Sequence, residues 1–554
     1  MTGSDLIVKI LIESGVTVCF GYPGGAAMPL YDALYKKRDV IRHVRTAHEQ
    51  GASHAADGYA RASGKLGVCI ATSGPGATNL VTGIATAFSD SSHVLFITAN
   101  VDSSQVGTDS FQEADIAGIT TPVCKYNWTV RDPFSLEIIL RKAIRLSTEG
   151  RPGPVLVDIP HDILSYDFPR SYISGKYDDS LCEARSPVIP EVPTDTVGSI
   201  VKMIKGSKRP LIIAGGGVIV SGAATELTGL ARKGGIHVAT TLMARGILPS
   251  GDPLDLGMVG AYGDPRAIAF AGGADLIIAV GMRFSNRTHG YFPDGTPIIH
   301  IDSDCSELDK NVKVTLPVCG DAKKVLAAVL EVFDDIGYDP ESRPEATVVR
   351  PVKQAKKEQI IPDISGGSLY PGNTDRLVGK VFDMISDKLG DVFVVTDVGI
   401  HQMATARLYP FERPGRLITS GGFGTMGFGI GADIGATIAA KENSQGRPGS
   451  AVLITGDGSF RMSIAELASV RENGIKTLIV VINNRSLGMV RDIQKKSFGR
   501  RYIATDAAYR IPDIRKVAGA YGLAGFVAKD IGSFEKAIDS YIHGEKTVVV
   551  DLRV

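Results

Sequence analysis

Short apolar runs recur along this chain, and each is followed by a stretch of helical periodicity. Gly67–Thr72, Val94–Thr98, Pro154–Ile159, Pro210–Ala214, Leu276–Val280, Val392–Thr396, Ala451–Thr455 and Thr477–Ile482 are mostly apolar along their length, with no regular polar alternation. A strand with two apolar faces must be covered on both sides, which is the situation of a parallel sheet between layers of helices. Amphipathic stretches such as Ala77–Ser89 and Arg461–Asn473 can supply those helices. The pattern predicts an α/β fold of mostly parallel sheets flanked by helices. At 554 residues the chain exceeds what one core serves, so about three domains are expected. Two polar, proline-bearing stretches, Tyr166–Pro193 and Asp339–Asn373, break the rhythm and read as surface linkers. They divide the chain into residues 1–165, 190–340 and 372–554.

Composition removes several function classes. Lys+Arg and Asp+Glu are equal at 60 each, so no basic excess draws the chain to nucleic acid or to an anionic membrane. No run approaches the roughly 18 apolar residues of a membrane span. The N-terminus has no charged segment followed by an apolar one, and a soluble cytoplasmic protein is expected. The 6 cysteines contain no C-x-x-C pair, which predicts reduced thiols and no zinc site.

The most specific chemistry lies near the C-terminus. The run Ala451–Thr455 ends in Gly456-Asp457-Gly458-Ser459, a helical pattern follows, and the next strand ends in Asn483-Asn484. Glycines at a strand end let backbone approach a diphosphate at a helix N-terminus. Asp457 and Asn484, at the ends of successive strands, bring two hard oxygen ligands to one sheet edge. Mg²⁺ is bound by a few such oxygens together with phosphate and water. The Ser486 carbonyl is a third candidate ligand. Either half alone reads as a turn, but the pair in this strand–helix–strand setting points to a metal–diphosphate site.

This arrangement resembles the motif of thiamine diphosphate enzymes. His48-Glu49-Gln50-Gly51-Ala52, Thr72–Asn79 and Ser420–Gly427 resemble that family's pyrimidine-domain signature and the segment beneath the thiazolium ring. The resemblance implies a pyrimidine-binding domain, a central nucleotide-binding-like domain and a diphosphate-binding domain. It implies catalysis by Glu49, which would promote the imino tautomer of the cofactor's aminopyrimidine. Met426 would bend the cofactor, and Gln112 would touch the reacting unit. Tyr22, Pro23, Gly24, Pro75, Asn79, His401, Gly424, Gly456, Gly458, Ser459, Gly488 and Met489 match cofactor-binding positions. Glu49 and Asp457 fall in different domains, so the family pattern implies a dimer with shared sites, or a tetramer.

Across nearly the whole chain the pattern is most similar to the catalytic subunit of acetohydroxyacid (acetolactate) synthase. Phe20–Ala26, Gly107–Glu113, Thr240–Met243, Ile299–Asp302 and Gly320–Lys323 carry the likeness. It implies FAD in the central domain, at Arg151, Gly215, Gly216, Gly217, Thr241, Leu242, Gly281, Arg283, Asp302 and Asp321, with an empty or repurposed site as the alternative. Substrate would meet Gly25, Phe111, Gln112, His161, Arg287 and Ile493. A small regulatory subunit is a further expected partner.

The departures from the synthase pattern cluster around the acceptor. Ile400 stands where the family has Gln, Ile493 where it has Trp, and His161 where it has Lys. Ser285-Asn286 replaces an acidic pair, Ala261-Tyr262 replaces Met-His, and the chain ends at Val554 without the family's tail. The expected function is a thiamine diphosphate- and Mg²⁺-dependent carboligase that decarboxylates pyruvate and adds the hydroxyethyl unit to a second 2-keto acid or other carbonyl. A decarboxylase or C–C hydrolase on a 2-keto acid or 1,2-diketone is one alternative. A non-catalytic nucleotide-binding protein is the other.

Overall fold

The structure, a computed structural model, describes residues 1–172, 175, 189–335, 369–370, 374–443, 450–505 and 512–554. Most of the two proline-bearing stretches lies outside the described residues. Three six-stranded parallel sheets organise the rest.

The first sheet has β1 (Val18–Gly21), β2 (Arg42–Arg45), β3 (Gly67–Ala71), β4 (Val94–Asn100), β5 (Tyr126–Thr129) and β6 (Val155–Pro160), in the order β2-β1-β3-β4-β6-β5. The second has β7 (Pro210–Ala214), β8 (His237–Thr240), β9 (Asp255–Met258), β10 (Leu276–Val280), β11 (Ile298–Asp302) and β12 (Leu316–Cys319), in the order β12-β11-β10-β7-β8-β9. The third has β13 (Phe393–Thr396), β14 (Leu417–Ile418), β15 (Ala451–Gly456), β16 (Leu478–Asn483), β17 (Ala524–Ala528) and β18 (Val548–Arg553), in the order β14-β13-β15-β16-β18-β17. The central strands β3, β4, β10, β15 and β16 are buried at every position, as their apolar runs predict. Each sheet has a central reversal of order, between β1 and β3, between β7 and β10, and between β13 and β15, and the first and third sheets also exchange their last two strands. Successive connections leave a reversal point on opposite sides, which opens a crevice at the carboxyl ends of the strands.

The first and third sheets are joined through two helices whose backbones touch. In Glu49–Ser63 and Phe428–Asn443, a Cβ on Gly58 would lie 2.2 Å from the Ala432 carbonyl oxygen, and one on Gly435 would lie 1.9 Å from that of Ala55. Their alanines and Phe428 share one apolar core. Beside it, Arg61 pairs with Asp57 at 2.6 Å and Asp90 at 3.2 Å, and donates to the Thr419 carbonyl.

Three expectations need correction. Ala77–Ser89 is not one helix, because Pro75–Thr78 and Val81–Asp90 meet at a tight turn in which Leu80 N–H bonds the Ala77 carbonyl. Similarly, Asp457–Met462 and Glu466–Glu472 replace the single expected helix, with Ser463 ending the first. The cysteines are not all reduced, since Cys305 and Cys319 form a disulfide with Cα atoms 5.2 Å apart. Cys319 is paired with Asp302 on the adjacent strand, and Cys305 lies in the turn just beyond it, so strand register brings together residues that no short spacing links. Cys19, Cys69 and Cys124 are free and buried, and Cys182 lies outside the described residues.

Asp433, fully buried on the helix Phe428–Asn443, accepts from Thr477 Oγ1 through Oδ1, while its Oδ2 has no partner among the described residues. Burial pushes its carboxyl up to about 8, so the folded state keeps a proton that the unfolded chain releases near pH 4. This contribution to stability is complete at low pH and is lost as pH rises toward about 8. Asp433→Asn should therefore match the parent in thermal unfolding near pH 4 and exceed it by a margin that grows up to pH 8.

Candidate active site

The reversal between β13 and β15 is the most polar buried region of the third sheet. Asp457 opens the helix at the end of β15 and is buried. The backbone N–H of Asn484, at the end of neighbouring β16, faces its carboxylate. Asp457 Oδ2 has no partner among the described residues, and burial pushes the carboxyl up to about 6. From the β13 side comes His401, also buried, with Nε2 lacking a partner and its basicity pushed down to about 3 by burial. Its ring fits only because two neighbours lack side chains. A Cβ on Gly456 would lie 2.6 Å from His401 Nδ1, and one on Gly399 would lie 2.7 Å from Cε1. Unpartnered buried polar atoms cost stability unless a ligand satisfies them. A carboxylate and a neutral imidazole at a helix N-terminus suit a cation carrying a diphosphate.

The rest of this edge closes around the same point. Asn484 Oδ1 accepts from Ser486 N–H at 3.1 Å, and Arg485 between them has a left-handed φ of 52°. A Cβ on Gly488 would meet the Asn484 amide and Ile400, and one on Gly458 would meet Leu487 and Met426. Ser459 Oγ donates to the Val398 carbonyl. Asp397, which sequence reading passed over, holds the Met426 turn by accepting from Gly427 and Gly429 N–H at 2.9 and 3.0 Å. Gly424 has φ +75°, and its N–H bonds Ser420 Oγ. The only hint of Asp397 was its place at a strand end, two residues before a glycine.

At the reversal of the first sheet, Glu49 opens its helix and is 9% exposed. Asn79 Nδ2 donates to Glu49 Oε2 at 2.9 Å. The loop after β1 and the loop after β3 meet here, since a Cβ on Gly24 would lie 2.4 Å from Thr72 Cγ2. Gly76 packs on Thr72 with Glu49 Oε1 just beyond, and Pro75 opens the intervening helical turn. Tyr22 and Pro23 belong to the same loop as Gly24. Gln112 lies against Gly74 with φ 61°, in a loop whose Gly107 and Ser110 N–H groups are gathered by Glu113.

Three family models match in sequence order. The N-terminal TPP binding domain of thiamine pyrophosphate enzymes matches residues 1–119, their central domain 197–329, and their C-terminal TPP binding domain 397–552. A probable acetolactate synthase large subunit of Methanocaldococcus jannaschii is 41% identical over 94% of this chain and 87% of its own length. Acetolactate synthase large subunits of Lactococcus lactis (38% identical; 94% of this chain, 87% of theirs) and Haemophilus influenzae (36%; 100% and 94%) are also similar. The chain belongs to the acetolactate synthase family of thiamine pyrophosphate enzymes.

In this acetolactate synthase family member the remaining predicted residues divide between a cavity and the loop edges. A cavity of about 500 Å³ at the reversal of the second sheet is lined by Arg151, Gly216, Gly217, Thr241, Leu242, Gly281, Arg283, Arg287, Asp302 and Asp321, among others. Gly215 does not line it. A Cβ there would lie 2.2 Å from the Gly281 carbonyl oxygen, so the backbone passes too close for a side chain. Arg151 bridges to Ser91, Asp304 and Glu307, and Arg283 donates to the Ser89 carbonyl. Phe111 is 87% exposed. His161 sits opposite Asp102, with Nδ1 3.1 Å from its Oδ1, a partner that sequence reading missed. The Arg287 carbonyl accepts from Ala261 N–H. Ile493 and Met489 lie on the helix Gly488–Ser497. Among the described residues no helix is long and apolar enough to cross a membrane.

Gly456→Ala should displace the His401 ring and weaken thiamine diphosphate binding by about tenfold or more, equivalent to about 1.4 kcal/mol. Calorimetric titration checks this.

Proposed function

We propose that this protein is a thiamine diphosphate- and Mg²⁺-dependent acetolactate synthase. It decarboxylates pyruvate and joins the hydroxyethyl unit to a second 2-keto acid. The observation that carries the reading is the buried Asp457 carboxylate, with an unpartnered oxygen at a helix N-terminus beside the unpartnered His401 nitrogen. Such a pair is satisfied by a divalent cation and an anion together.

Thiamine diphosphate, once its C2 proton is removed, supplies the nucleophile and electron sink for decarboxylation. Asp457, Asn484 and the Ser486 carbonyl would hold the Mg²⁺, while His401, Gly458, Ser459 and Gly488 would receive the diphosphate. Met426 supports the thiazolium side. Glu49, held by Asn79, exchanges a proton with the aminopyrimidine, and its small buried neighbours Ala52, Ala55 and Ala56 keep water away. Gln112 and His161 border the entering keto acid, Ile493 lines the acceptor space, and Arg287 takes a carboxylate through a charge-assisted bond. FAD would be held in the central cavity, whose arginines suit a pyrophosphate and whose Asp302 and Asp321 suit ribose hydroxyls. Two chains share each site, Glu49 from one facing Asp457 of the other. A small regulatory subunit joins the assembly, as the phrase "large subunit" in the relatives' names supports.

Purified protein supplied with thiamine diphosphate, Mg²⁺ and pyruvate should form acetolactate. An aldehyde or a ring-opened acid as sole product would point instead to a decarboxylase or hydrolase. Glu49→Gln should lower turnover by about 100-fold or more with near-normal cofactor affinity. Asp457→Ala should abolish Mg²⁺-dependent binding of thiamine diphosphate in calorimetry.

A further inference from the structure

The turn that carries Glu49 is built from two domains. Ala47 has no side-chain acceptor of its own, and His48 Nδ1 is taken by Gln50 N–H. The missing acceptor comes from Glu466, at the start of the helix Glu466–Glu472. Glu466 is 2% exposed. Its Oε2 accepts from Ala47 N–H at 3.1 Å and from Ser469 Oγ at 2.6 Å, and the backbone N–H of His48 faces the same carboxyl. Its Oε1 is buried without a partner among the described residues and rests on Gly51, where a Cβ would lie only 2.1 Å away. The carboxyl therefore touches residues 47, 48 and 51, on both sides of Glu49, with no side chain between them. A helix N-terminus favours such an acceptor.

Thr46 Oγ1 donates to the His48 carbonyl at 2.9 Å within the turn, and other contacts fix the approach of the two domains. Arg45 pairs with Glu472 at 2.5 Å, Arg42 donates to the Asn473 carbonyl, and Asn473 donates back to that of Arg45. All three are exposed and solvent-screened. Ser469, in contrast, is buried and holds the Glu466 carboxyl in a single orientation.

We propose that Glu466 is a positioning residue for Glu49, setting the backbone turn from which the Glu49 side chain reaches the cofactor. The assignment rests on the catalytic reading of Glu49 given above. A misplaced acid slows proton transfer without abolishing cofactor binding, because the diphosphate is held elsewhere.

The test compares Glu466→Ala, Glu466→Gln and Glu49→Gln. Three quantities are read: amide hydrogen exchange of residues 46–52 in cofactor-free protein, thiamine diphosphate affinity, and the exchange rate of the bound cofactor's C2 hydrogen by quenched NMR. Glu466→Ala should lose amide protection at 47–48 and slow C2 exchange by about tenfold or more, with affinity changed less than about threefold. Glu466→Gln should stay near the parent, because its amide oxygen accepts from the same N–H groups. Parental C2 exchange in Glu466→Ala, or a loss only in step with affinity, would overturn the assignment. If Glu466→Ala does not fold, Glu466→Asp decides: it keeps the charge but cannot span the same distance, so slowed exchange supports the role and parental exchange removes it. Glu49→Gln separates the two readings. If it exchanges C2 normally, the reading of Glu49 itself fails. If it is slow while the Glu466 variants are normal, only the positioning role fails.

Discussion

A parallel sheet cannot cover its own carboxyl edge where the strand order reverses, and each of the three sheets has one such reversal at its centre. At each reversal two loops leave in opposite directions, and the crevice between them gathers the residues that carry chemistry. The loops come so close that side chains must be absent. Gly24 lies on Thr72, Gly217 bonds the Gly281 carbonyl, and Gly456 and Gly399 enclose the His401 ring. Substituting larger residues would push these loops and the His401 ring apart, so the glycines fix the shape of the crevices.

Helix packing sets how two of these edges relate within one chain. Glu49–Ser63 and Phe428–Asn443 meet backbone to backbone over small residues, an approach that leaves little freedom to slide. Polar groups are then locked into the seam: Asp90 accepts from Gly421 and Gly422 N–H, and Thr86 bonds Thr425 at 2.6 Å. The loop that carries Met426 is thus held from the first domain as well as by Asp397 of its own. Rigid support from outside the immediate site keeps reacting groups aligned.

The sequence made much of this legible, for identifiable reasons. Continuous apolar runs became buried strands, because a strand covered on both faces needs them. Gly456-Asp457-Gly458 and Asn484 were readable since motif and strand ends coincide locally. Asp397 and Asp102 were not, because each acts on a segment far along the chain: Asp397 on Gly427 and Gly429, Asp102 on His161. That Gly215 must pass within reach of the Gly281 carbonyl was not legible either, because the two lie at the ends of different strands. The Cys305–Cys319 pairing escaped for a related reason, as parallel register sets it rather than any spacing.

The cluster at the third edge also explains why the site is built without internal satisfaction. Asp397 and Asp457 are both buried and both pushed up to about 6 by burial, yet they differ in what they bind. Asp397 is saturated by backbone N–H groups of its own fold, so it is structural. Among the described residues Asp457 keeps an unpartnered oxygen and His401 an unpartnered nitrogen. A ligand that satisfies both binds only the folded chain, and therefore adds its binding free energy to folding stability. On the proposed reading, Asp457 and His401 are where a bound cation and diphosphate would recover part of the stability that their unpartnered atoms cost the free protein.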